Sequence, residues 1–218
     1  REHVDGLPDG LSLAYLPSTG QVRIRLTARG AGRETARRDL DTATDAIREA
    51  LGVLVFGEGT TTLEATVNDL LGDRGLRLAT GESCTGGAIA ARVTSVPGSS
   101  AVFQGGGGAY TNAAKTALLG GPEDVIAAEG AVSKPVALAM AAGARQHLSA
   151  DIGVATTGIA GPTGGTPGKP VGTVWVAYDD GRTARAVRLQ FTPDRAVNIA
   201  LSATAALDLV RRQVLRRG

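Results

Sequence analysis

Aromatic residues, cysteine, histidine and lysine are all scarce in this chain of 218 residues, and each scarcity closes a route. Seven aromatics leave most of the core to Ala, Val, Leu and Ile. One cysteine, Cys84, excludes an intrachain disulfide, and no basic and apolar leader pattern opens the sequence, so a reducing, cytoplasmic setting is expected. With histidine only at His3 and His147, no cluster has the spacing of a zinc site, and any hydrolysis is expected to run without metal or cofactor. No apolar run reaches the ~18 residues of a membrane-spanning helix, so no membrane partner is expected. The net charge is only +2, and residues 1 to 58 hold eight basic and nine acidic groups. That balance lacks the positive stripe of a nucleic-acid binder, so nucleic acid is not an expected partner.

Glycine is what the chain has in excess, with 31 residues. Hydrophobic residues at 43% and charged residues at 20% are ordinary for a folded globular protein. The length suits one large domain or one domain with a small appendage.

Two strands, Leu11 to Tyr15 and Gln21 to Thr27, flank a Pro-Ser-Thr-Gly turn, and the second alternates Val22, Ile24 and Leu26 with Arg23 and Arg25. Leu40, Ala43, Ile47 and Leu51 then recur at helical spacing up to Gly52, and Val53 to Phe56 reads as a short apolar strand. Residues 1–58 are therefore expected to form a ββαβ, α+β module, and residues 59–218 a second domain.

The second domain alternates. A helix is predicted over about 62–73, a strand over 76–80, a helix over 85–94, a Gly-interrupted strand over 101–109 and a helix over 112–119. Pro122 and Gly130 bracket a short helix, and Ser133 is placed to cap one running to about Leu148. Apolar strands follow at 152–157 and 171–178, and Asp179-Asp180-Gly181 turns the latter into an antiparallel hairpin. Thr192-Pro193 is expected to cap and start a last helix with a Val197, Leu201, Thr204, Leu207, Val210, Val214 stripe. Such alternation argues for an α/β layered sheet.

Polar or Gly-rich segments fall at the predicted strand ends, where α/β sheets bind ligands. Gly81-Glu82-Ser83-Cys84-Thr85-Gly86-Gly87 lies between a strand and a helix, whose N-terminal N–H groups suit an anion or an oxyanion. It equally reads as a plain capped turn, and it matches neither the phosphate-loop nor the dinucleotide fingerprint. The others are Tyr110-Thr111-Asn112-Ala113-Ala114-Lys115, Thr156 to Pro162, and Thr192-Pro193-Asp194-Arg195.

These segments, with Gly130-Ala131-Val132-Ser133, Gly165-Thr166-Pro167 and Lys169-Pro170-Val171-Gly172-Thr173-Val174, make the chain resemble the competence/damage-inducible CinA family over nearly its whole length. The C-terminal domain of that family is a nicotinamide mononucleotide (NMN) deamidase. The resemblance implies a three-layer α/β/α domain with a mixed sheet, preceded by a small KH-like connecting module at residues 1–58. It implies a homodimer, and a chain that corresponds to the C-terminal part of longer family members. The module carries no G-x-x-G clamp of the kind KH domains use on nucleic acid, so it reads as a spacer or dimerisation element.

Hydrolysing a carboxamide needs a nucleophile, a base, oxyanion donors and an acid for the departing ammonia. The matching positions offer Ser83 and Lys115, and the resemblance supports them as nucleophile and base, with Tyr110, Thr157 and Arg195 lining the site. A lysine base must be neutral, so its ordinary pKa of ~10.4 has to fall through burial or nearby positive charge. Asn112, Gly158, Thr85 and Gly86 are further candidates for binding substrate, and the phosphate of a mononucleotide is expected at the Thr157 to Gly161 loop, Thr85 to Gly87 or Arg195. Cys84 is the alternative nucleophile, with only His147 available as a partner.

Two departures from the family pattern stand near the site. Gly105 to Gly108 replaces a Gly-Gly-apolar strand, where each Gly is expected to cost ~0.5–1 kcal/mol relative to Ala. Ala113 replaces an acidic residue, which removes a charge near Lys115. Both favour an alternative, a noncatalytic nucleotide-binding or regulatory module.

Overall fold

A computed structural model describes residues 7, 9–30 and 32–217, so His3 lies outside the described residues. The chain divides into two compact units, Arg1–Phe56 and Gly57–Gly218.

In the first unit, β1 (Leu11–Ser18) and β2 (Gln21–Ala28) pair antiparallel, with Leu13 opposite Leu26 and Tyr15 opposite Ile24. One face of the ribbon is thereby apolar, and α1 (Arg33–Leu51) packs on β2 through the face that holds the buried Ala43. The expected strand at Val53–Phe56, the last element of the ββαβ module, does not form. Gly52–Leu54 is a single 3-10 turn, closed by the Val55 N–H donating to Gly52 O, so the helix winds down where apolar content alone suggested extension.

The second unit is built on a five-stranded sheet ordered β4-β3-β5-β6-β7. Its strands are β3 (Leu78–Glu82), β4 (Phe103–Gly108), β5 (Ile152–Gly158), β6 (Thr173–Asp179) and β7 (Ala184–Gln190). β4, β3 and β5 run parallel, while β6 and β7 add antiparallel, so the sheet is mixed and the predicted hairpin is its far edge.

Six helices complete this unit among the described residues: α2 (Leu63–Asp73), α3 (Ala88–Thr94), α4 (Asn112–Leu119), α5 (Glu123–Glu129), α6 (Lys134–His147) and α7 (Arg195–Arg216). α6 lies across β3, β5, β6 and β7, with α4 and α5 beside it. α7 packs on β5 and β6 with α2 and α3 beside it, which makes three layers.

Several ends differ from the sequence reading. β3 runs on through Glu82, and α3 starts at Ala88 rather than Thr85, because Gly86 and Gly87 adopt φ of +62° and +103° and cannot continue a helix. α7 is capped by Asp194, whose carboxylate accepts from the Val197 N–H, while the Thr192 hydroxyl and N–H both donate to Asn198 Oδ1. The buried side of α7 runs through Asn198, Ser202, Ala206 and Val210, so Val197, Leu201 and Thr204 of the expected stripe are only half-buried. Ser133 does occupy the position before α6, but its side chain makes no cap bond. Pro135 removes one of the N–H groups that such a cap would take.

The glycine excess now has a physical cause. A Cβ on Gly143 would lie 1.9 Å from Leu119 O, and one on Gly153 would lie 1.9 Å from Ala141 O, so α6 touches α4 and β5 backbone to backbone. The Gly105–Gly108 run follows the same logic. Gly105 takes φ +148° beside the register shift between β3 and β4, a Cβ on Gly106 would meet Thr80 Oγ1 at 2.2 Å, and one on Gly107 would meet Leu119 Cδ2 at 3.1 Å. The expected loss of packing is corrected for Gly106 and Gly107, whose missing side chains leave room that neighbours fill.

Candidate active site

β3 delivers Ser83 to the carboxyl end of the parallel strands, and the Ser83 N–H donates to Thr156 O at 3.0 Å, so the turn begins tethered to β5. Of the two readings of the Gly81–Gly87 segment, an anion-holding helix end or a capped turn, the N-terminus of α3 shows the second. The buried Glu82 carboxylate already accepts the N–H groups of Gly87, Ile89 and Ala90 at 2.8–3.0 Å. A carboxylate supplied by the chain completes the helix end.

A cleft of about 250 Å³ opens beside this turn. Ser83 and Lys115 both line it, and so do Tyr110, Asn112, Thr157, Gly158 and Arg195. Thr85 and Gly86 do not. The buried Thr85 hydroxyl lies 2.7 Å from Thr156 Oγ1, and the Gly86 N–H donates to Ser83 O, so both serve the turn itself.

Thr111 caps α4 by accepting from the Ala114 N–H, which places Lys115 one turn into the helix facing the sheet. Lys115 is only 3% exposed, and Nζ donates to Tyr110 O at 3.3 Å. Burial lowers its pKa below the ordinary lysine value, opposed in part by Cys84. Ser83 is likewise buried, at 6% exposure. No Ser83–Lys115 hydrogen bond forms among the described residues; the two meet as walls of one cleft.

Arg195 reaches across the mouth, donating from Nη2 to Tyr110 Oη at 2.8 Å and from Nη1 to Gly161 O at 3.0 Å. Thr157 Oγ1 donates to Ala131 O at 2.8 Å. Gly158 lets Cys84 approach, since a Cβ there would lie 3.1 Å from Sγ and 2.7 Å from Val174 Cγ2. Among the described residues no carboxylate lines the cleft, and its two nitrogen bases are the Lys115 amine and the Arg195 guanidinium.

Cys84 also lines the cleft, but burial pushes its thiol up to about 11, so it is protonated at neutral pH. His147 gives it no help: its Nδ1 is 2.8 Å from Leu118 O at the exposed end of α6. Ala160, in the candidate 157–161 loop, lines the cleft as well, and so do Ala131 and Val132, which were not singled out. The signal for the latter two was the Gly130–Ser133 motif, which names a segment without saying that it forms a wall. Ala113 is exposed and off the cleft, and all four glycines at 105–108 lie off it too.

A mixed five-stranded sheet between two helical layers defines an α/β/α domain, with a buried serine and a buried lysine in one cleft at its parallel strand ends. Residues 60–214 match the family model of the CinA C-terminal domain, and residues 2–57 match that of the damage-inducible protein CinA KH domain. The chain belongs to the CinA family. It is 52% identical over 208 residues to a CinA-like protein of Salinibacter ruber and 47% identical over 208 residues to one of Gemmatimonas aurantiaca. Each alignment covers 95% of this chain but only 50% and 49% of those relatives, so the chain spans about half their length. Among solved structures, the competence/damage inducible protein CihA from Agrobacterium tumefaciens is 38% identical with a TM-score of 0.66, covering 67% of this chain and 90% of that one. A CinA superfamily protein from Klebsiella pneumoniae 700603 is 32% identical with a TM-score of 0.69, covering 73% of this chain and 99% of that one.

Proposed function

We propose that the cleft hydrolyses the carboxamide of nicotinamide mononucleotide to nicotinic acid mononucleotide and ammonia. The observation that carries this reading is Lys115: a buried lysine with a depressed pKa, in the same carboxylate-free cleft as a buried serine. Desolvation favours the neutral amine, which is the form able to accept a proton.

Ser83 Oγ attacks the amide carbon and its proton passes to Lys115 Nζ. The carbonyl oxygen becomes an oxyanion, for which the Cys84 N–H, next in the chain, is the nearest main-chain candidate donor. The Lys115 ammonium then protonates the departing nitrogen, ammonia leaves, and the acyl-serine is opened by water that Lys115 deprotonates in turn. The Arg195 guanidinium, at the mouth, suits the phosphate. The noncatalytic alternative draws no support from the two departures that suggested it, since Ala113 and the 105–108 glycines lie off the cleft.

Ammonia release from NMN is the test. Ser83→Ala and Lys115→Ala are each expected to lower kcat by about 10³-fold or more. Lys115 gains its neutral form as pH rises through its depressed pKa, so kcat/KM of the parent protein is expected to climb on the alkaline side with a midpoint below ~10.4. Full activity in both variants overturns the assignment.

A further inference from the structure

The glycine- and proline-rich segment from Gly161 to Val171 has the composition of a mobile substrate loop, yet none of its residues lines the cleft. It is tied to itself and to the sheet. Thr166 N–H donates to Lys169 O, and Lys169 N–H returns to Thr166 O and Oγ1. Arg188 on β7 donates to Gly168 O, and Gly165 packs so closely that a Cβ would stand 2.7 Å from the Val171 nitrogen.

Held in this way, the segment sends Lys169 outward. Its Nζ donates to the carbonyl of Glu129, the last residue of α5. A cation at that position satisfies a carbonyl left over at a helix C-terminus and suits the helix dipole. Gly130 comes next, where a Cβ would lie 3.2 Å from Nζ, so the glycine leaves room for the contact. Ala131 follows, and its carbonyl takes the Thr157 hydroxyl.

The chain from Glu129 to Val132 is neither strand nor helix beyond Glu129, and Ala131 and Val132 form one wall of the cleft. Two side chains from elsewhere hold its carbonyls: Thr157, from beneath on β5, and Lys169, from outside the site. Without Lys169 the Glu129 end of the wall loses its charge-assisted hydrogen bond to the 161–171 segment.

We infer that Lys169 is a positioning residue that fixes the Ala131–Val132 wall and thereby sets how tightly substrate binds, without touching substrate itself. The kinetic part of this inference rests on the NMN-hydrolysis reading; the structural part does not.

Lys169→Met and Lys169→Arg, in the chain as it stands, test both. Lys169→Met is expected to raise KM for NMN about fivefold with kcat within about twofold of the parent, and Lys169→Arg to recover most of that loss. Hydrogen exchange of the 130–133 amides, measured without ligand, is expected to quicken in Lys169→Met and to return toward the parent rate in Lys169→Arg. Unchanged exchange overturns the strap. Exchange that quickens throughout the domain, with kcat and KM worsening together in both variants, also overturns it, because that is general destabilisation. If the parent releases no ammonia from NMN, the hydrolysis reading falls while the exchange measurement still decides the role of Lys169.

Discussion

The two faces of the central sheet are packed by opposite means. Toward α6 the sheet presents Ala79, Gly153, Ala155 and Ala177 to Ala137, Ala141 and Ala144, with backbone contact at Gly153 and, between α6 and α4, at Gly143, while Val136, Met140 and Leu119 fill the space around them. Toward α7, α2 and α3 the large side chains of Leu63, Leu71, Leu78, Ile89, Ile152 and Leu207 are buried, around the small Ser202, Ala203 and Ala206 of α7. Strand alternation produces the split, since Leu78 and Ile152 point one way and their neighbours Ala79 and Gly153 the other. Large side chains supply burial energy, about 1.5–3 kcal/mol each. Small ones supply little energy and a fixed separation. Lys115 and Thr157 belong to the thin side, so their positions relative to β5 are set by backbone contact rather than by adjustable packing.

Substitutions on each side should break that contrast in different ways. Gly143→Val drives a side chain into the Leu119 carbonyl, which cannot move aside, and is expected to cost about 4 kcal/mol or more, read as loss of soluble protein or a collapsed urea midpoint. Leu207→Ala on the other face leaves a cavity and is expected to cost about 3 kcal/mol while kcat at saturating substrate stays close to the parent. Glu82→Gln retains the shape but loses the charge that holds three N–H groups. About 1–2 kcal/mol is expected in chemical denaturation, with a fall in kcat because Ser83 is the next residue. Gly108→Ala sharpens the comparison from the other end: no atom stands within 4 Å of its added Cβ, so stability is expected to stay within about 0.5 kcal/mol. A large loss at Gly108 would show that the run is needed for a reason other than space.

Local signals were legible wherever the chemistry was local. Thr111 before Asn112 gives the start of α4, and Asp179-Asp180-Gly181 gives the β6–β7 turn. What local pattern missed was settled by partners distant in sequence. Gly106 is explained only by Thr80 on the next strand, and the wall at Ala131 only by Thr157, 26 residues on. Glu82 read as part of a polar loop because a carboxylate at a strand end carries no sign that it turns back to cap the following helix. Within the site, Ser83, Lys115, Tyr110, Asn112, Thr157, Gly158 and Arg195 were each nominated from separate segments and meet in one cleft, while Thr85 and Gly86 were drawn in by their position beside Ser83.

The Glu82 contact also gives the cleft a direction. With the N-terminus of α3 taken by Glu82, and with Tyr110 62% exposed beside Arg195 at the rim, the guanidinium sits at the entrance and the buried Lys115 amine inside. If the cleft takes NMN, the phosphate is the end held at the rim by Arg195, and the pyridinium ring, which carries that molecule's positive charge, is the end that travels inward, where a neutral Lys115 amine does not repel it.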